Sequence, residues 1–105
     1  MCGICGIYHP RTNRPVSRDL LTAMCRTITH RGPDDEGLYI KGPVGLGVRR
    51  LSIIDVAGGH QPLDNEDGTL WAAHNGEVYN FPELREELQG LGHRFKTRTD
   101  TETVL

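Results

Sequence analysis

At 105 residues, with 12 basic and 14 acidic side chains mixed along the chain and a formal charge of -2, the sequence has no cationic face for nucleic acid or an anionic membrane. No apolar run approaches the ~20 residues that cross a bilayer, and the amino terminus lacks the charged-then-apolar order of a secretion signal, so a cytoplasmic protein is expected. Three cysteines at uneven spacing make a poor disulfide framework and suit free thiols, and a chain of this length forms one domain at most.

The segment GICGIY alternates Ile4 and Gly6 against Cys5 and Ile7 and predicts a short buried strand at the very terminus. SRDLLTAMCRTITH sets Leu20, Leu21, Met24, Cys25 and Ile28 on one helical stripe, with Ser17 as N-cap and Gly32-Pro33 as the stop. GLYIKGPVGLGVRRLSIID predicts two strands around a Lys41-Gly42-Pro43 turn, with Val44, Leu46 and Val48 sharing a face. VAGGHQPLDNEDG is polar and turn-rich, and TLWAAHNGEVYN predicts a strand pair or a strand and turn. A second helix is expected over NFPELREELQGLG, capped by Asn80 with Glu83 three residues on and ended by Gly90 or Gly92. HRFKTRTD predicts a further strand, and Thr99 with Glu102 opens a last helix whose apolar face would begin where the chain stops, so truncation is expected. Strands outnumber helices and come in groups, which favours an α+β layered fold.

Cys2 follows the initiator methionine, and its small side chain permits removal of that methionine. The residue would then carry a thiol beside a free α-amine. An unperturbed α-amine titrates at about 7.7 to 8.0, so a fraction on the order of a tenth is neutral at pH 7 and can accept a proton. One residue then supplies nucleophile and base, as N-terminal nucleophiles do. The ordinary alternative makes Cys2 a strand residue. A zinc alternative pairs Cys2 and Cys5 with Cys25 and His9 or His30, but Cys25 also fits the buried stripe of a helix.

Attack on a carbonyl needs donors for the oxyanion, and Asn75 with the Gly76 backbone N-H offers them, although Asn-Gly also suits a hairpin turn. Arg50 ends an alternating strand, where it could grip a carboxylate bidentately or simply be solvated. Asp100 could cap the last helix or bind an amine. RGPDDEG crowds three acids into a tight loop, where solvation is the default reading.

MCGICGIY, HRGPDDEG, RLSIID, HNGEVYN and TDTE, in this order and spacing, resemble the glutaminase domain of class II glutamine amidotransferases, and most of all that of glutamine-hydrolysing asparagine synthetases. The resemblance runs over the whole chain, as the amino-terminal portion (residues 1–105) of such a domain. It implies an N-terminal nucleophile hydrolase fold, a four-layer αββα sandwich. Cys2 would be the nucleophile, Asn75 and Gly76 the oxyanion hole, and Arg50 the grip on the glutamine α-carboxylate. Asp100 and Glu77 would meet the α-amine, and the backbone at Ile53 and Ile54 would line the pocket. Arg50 is preferred over its neighbour Arg49 because it directly precedes LSII. No metal or cofactor is implied for this domain; ATP and magnesium belong to a synthetase domain absent from this chain. The implied partners are L-glutamine and that synthetase domain of the same full-length chain, and a homodimer is compatible with the reading.

Overall fold

The computed structural model describes residues 2–51 and 60–105. Its centre is an antiparallel sheet of three strands, β1 (Gly3–Tyr8), β2 (Asp35–Lys41) and β3 (Val44–Arg50), in the order β1-β3-β2. Gly3 lies opposite Arg49 and Tyr8 opposite Val44, while Asp35 lies opposite Arg50 and Lys41 opposite Val44. Because side chains alternate across a sheet, this register sorts the residues into two faces. Gly3, Cys5, Gly45, Gly47 and Arg49 share one; Ile4, Val48, Arg50, Asp35 and Tyr39 share the other.

Helix α1 (Arg18–Thr27) covers the first face. Ser17 caps it as the sequence predicts, its Oγ accepting the Leu20 N-H at 3.2 Å, and Asp19 and Arg26 stand at the ends that favour their charges. The helix closes onto β3 because β3 is glycine on this side. A Cβ on Gly45 would meet Val16 and Leu21, and one on Gly47 would meet the sulfurs of Cys25 and Cys5. Leu21 and Cys25 are consequently 0% exposed. The helix ends at a single 3-10 turn, Thr29–Arg31, followed by the predicted Gly32-Pro33 stop.

The other face of the sheet meets a second, smaller layer. β4 (Leu63–Asp64) and β5 (Trp71–Ala72) pair antiparallel around a turn in which Asn65 Oδ1 accepts the N-H groups of Thr69 and Leu70. Trp71 stacks on Tyr39 with ring centroids 3.9 Å apart, joining the two sheets. Gln61 lies with its carbonyl tight against Gly37, where any side chain would collide with it. Helix α2 (Phe81–Gly90) then leads into a second 3-10 turn, Thr101–Val104.

Three local expectations are corrected. The Asn80–Glu83 capping box does not form: Asn80 sits at φ -95°, ψ 25° and makes no side-chain cap. The far end of α2 is the better organised, since Gly92 at φ +99° lets its own N-H reach Gln89 O and the His93 N-H reach Leu88 O. Residues 93–100 are not a strand, because their N-H groups are taken by carboxylates instead of a neighbouring chain: Arg94 by Glu66, and Lys96 and Thr97 by Glu102. Glu102 is thereby diverted from Thr99, so the last element is a 3-10 turn without the predicted box. The mixed α/β content with antiparallel sheets agrees with the α+β expectation. Among the described residues no helix is long and apolar enough to cross a membrane.

Candidate active site

The sheet register brings the first group of candidate residues together. The β1–β3 register ends at the Gly3–Arg49 pair, with Cys2 just before it and Arg50 just after it in the chain, and Asp35 lies opposite Arg50 on β2. The Cys2 thiol lies 3.8 Å from the Leu51 carbonyl, immediately past Arg50. Odd-numbered Gly3 and Cys5 face α1, so Cys2 belongs to the opposite face with Arg50. The Cys2-x-x-Cys5 spacing therefore splits across the sheet, and among the described residues no group of three His, Cys, Asp or Glu is placed to hold a metal ion.

The two adjacent arginines have separate fates. Arg49 points to the α1 side, where its Nε donates to Gly32 O at 2.9 Å and its Nη1 to Glu36 Oε2 at 3.0 Å. Arg50 faces the Cys2 side with 7% of its side chain exposed, and among the described residues its buried Nη1 has no hydrogen-bond partner. Asp35 Oδ2 is 3.8 Å from that nitrogen, close enough for attraction and too far for a hydrogen bond. A buried donor left open on a guanidinium is costly in isolation and is the feature expected of an anion site. RGPDDEG, expected to be solvated, is instead the cradle of Arg50. Gly32 packs flat on the Arg49–Arg50 peptide, and the Asp34 N-H donates to Arg50 O at 3.1 Å.

The second group is the segment from His74 to Val78. Gln61 Oε1 accepts the His74 N-H at 2.8 Å, and Asp100 Oδ2 accepts the Val78 N-H at 2.8 Å. Both braces are buried, at 6% exposure each. Between them Asn75, Gly76 and Glu77 are exposed, and Gly76 has a φ of +157° with His74 packed where a Cβ would go. This is not the hairpin turn that Asn-Gly also allowed, for no strand follows it. Asp100 occupies the N-cap position of the last turn without capping it, since its carboxylate is spent 22 residues back in sequence. Gln61 and Asp35 carried no sequence signal, because each acts through a partner far along the chain. Ile53 and Ile54 lie outside the described residues.

Cys25 shows what a cysteine without chemistry looks like here. Its sulfur is 3.5 Å from that of Cys5 and sealed between α1 and the sheet, and burial, reinforced by the neighbouring Cys5, pushes the thiol up to about 12 from an ordinary 9.0. With the folded value above the unfolded one, the stabilisation is complete below pH 9 and lost as pH climbs toward 12. Thermal midpoints of the wild type should therefore fall faster between about pH 9 and 11 than those of Cys25→Ala. Parallel curves would show that the thiol does not contribute.

Known proteins resemble the chain along its whole length. A family model for the glutamine amidotransferase domain matches residues 1–105. The glutamine-hydrolysing asparagine synthetases 1 and 2 of Bacillus subtilis are 49% and 43% identical over 107 and 108 residues, each covering 100% of this chain. Glutamine-hydrolysing asparagine synthetase 1 of Arabidopsis thaliana is 41% identical over 104 residues, covering 99% of this chain. The chain spans 17%, 14% and 18% of the lengths of these three relatives. With a family match over every residue and a relative at 49% identity over the whole chain, the chain belongs to the glutamine amidotransferase domain family.

Proposed function

We propose that this chain hydrolyses the side-chain amide of L-glutamine and, in a full-length protein, supplies the ammonia for ATP-dependent conversion of aspartate to asparagine. The observation that supports the reading is Arg50, buried, with an Nη1 that has no hydrogen-bond partner among the described residues and suits a substrate α-carboxylate, one residue before the Leu51 carbonyl that the Cys2 thiol approaches. In this reading the α-amine is met by Glu77, exposed in the braced loop, and by the Asp100 oxygen that Val78 leaves free. The fold completes, in this reading, as the four-layer αββα sandwich of N-terminal nucleophile hydrolases.

Once methionine is removed, the α-amine of Cys2 takes the proton of its own thiol and the sulfur attacks the amide carbon. Negative charge on the carbonyl oxygen is met by the Asn75 side chain and the Gly76 N-H. Collapse of the tetrahedral intermediate releases ammonia, which carries away the proton, and leaves a γ-glutamyl thioester. Water then hydrolyses the thioester to glutamate and restores the thiol. The ATP and magnesium that activate aspartate act in a synthetase domain, and the surroundings are the cytoplasm.

Arg50→Ala tests the pocket. It should raise KM for glutamine roughly tenfold to a hundredfold, the worth of a charge-assisted hydrogen-bond pair, while kcat falls much less. An unchanged KM in a folded variant would remove Arg50 from the substrate site.

A further inference from the structure

Asp35 lies directly across the β2–β3 ladder from Arg50, yet its carboxylate stands at 3.8 Å from Nη1 and makes no hydrogen bond to it. A tighter approach is available to most Asp–Arg pairs, which commonly close to a bidentate contact. The same Oδ2 lies 2.7 Å from Nδ1 of His60, whose side chain is 59% exposed. The carboxylate thus balances the charge of a buried guanidinium without consuming its donor. Removing such a counter-ion leaves a buried charge uncompensated, and moving it closer would occupy the donor the substrate needs.

We infer that Asp35, held at arm's length by His60, is a positioning residue that keeps the Arg50 guanidinium oriented and its Nη1 open for the α-carboxylate of glutamine. The inference rests on the reading of Arg50 as the carboxylate grip. The acid that neighbours a proline-aspartate turn acts here through Arg50 and touches no reacting atom. His60 is the second part of the device, since it fixes the separation.

The test is steady-state glutamine hydrolysis by the protein as its gene encodes it, comparing wild type with Asp35→Asn, Asp35→Glu, His60→Gln and Arg50→Ala. Asp35→Asn should raise KM for glutamine about fivefold to tenfold with kcat within about twofold, Asp35→Glu should recover part of the loss, and His60→Gln should shift KM in the same direction by less. Alkylation of Cys2 by iodoacetamide, which has no carboxylate for Arg50 to hold, should keep the same rate in Asp35→Asn within about twofold. The inference is overturned if KM stays within about twofold of wild type, or if alkylation slows along with hydrolysis, as a general loosening of the sheet end would cause. Arg50→Ala separates the two levels. If it raises KM and Asp35→Asn does not, the positioning role alone fails; if neither raises KM, the carboxylate grip itself is wrong.

Discussion

Cys2→Ala should lower glutamine hydrolysis by about 10⁴-fold or more, since both the attacking sulfur and the intermediate it forms are lost while the pocket remains. The structure makes Cys2 the cysteine to choose. By the strand alternation it falls on the face of Arg50, whereas Cys5 faces α1 and Cys25, on α1 itself, is turned in against Cys5 with its thiol held protonated. Cys5→Ala and Cys25→Ala should leave kcat within a few-fold, with losses confined to stability of order 1–3 kcal/mol, the cost of altering a packed core. A glutamine analogue bearing an electrophile at the γ-position should label Cys2 alone. Label persisting in Cys2→Ala would place the nucleophile elsewhere.

Asn75→Ala should cost about 10²–10³-fold in kcat, or ~3 kcal/mol of transition-state stabilisation, with KM for glutamine little changed. The expectation depends on a loop that does not have to organise itself during the reaction. Gln61 and Asp100 hold its two ends through 2.8 Å bonds to the His74 and Val78 N-H groups, both from buried positions. Asp100→Asn weakens both the acceptor for the Val78 N-H and the acid for the α-amine, so it should raise KM for glutamine and lower kcat less than Asn75→Ala does. A fall in KM affinity equal to the fall in kcat for Asn75→Ala would mean that the side chain binds the ground state and is no oxyanion donor.

The first half of the fold was legible because its signals are local. Ser17, the Leu21–Cys25 stripe and Gly32-Pro33 define α1 within 17 residues of chain, and the alternation around Lys41-Gly42-Pro43 defines the β2–β3 hairpin. The candidate roles of Cys2, Asn75, Gly76 and Arg50 come from their motifs and the family resemblance those motifs carry. The register then separates Arg50 from Arg49, which sequence position alone could not do, by sending them to opposite faces.

What was not legible depends mostly on partners remote in sequence. Residues 93–100 have the composition of a strand, yet Glu66, 28 residues away, takes the Arg94 N-H, and Glu102, only five and six residues on, folds back to take those of Thr97 and Lys96 instead of closing the capping box its spacing from Thr99 suggests. Asp100 is placed where a cap belongs, but a loop 22 residues earlier outcompetes the local N-H groups for its carboxylate. The acids of RGPDDEG look solvated because their connections, to the Arg50 carbonyl, the Arg50 guanidinium and His60, arise only when β2 is laid against β3. Glu36 is spent in the same way on Arg49.

All of the chemistry requires that the residue bearing the thiol also bear a free amine. Intact-mass and amino-terminal peptide analysis of the protein isolated from its native cell tests this directly. The mature chain should begin at Cys2 with an unmodified α-amine; retained methionine, or an acetyl group on that nitrogen, in protein that still hydrolyses glutamine would contradict the account.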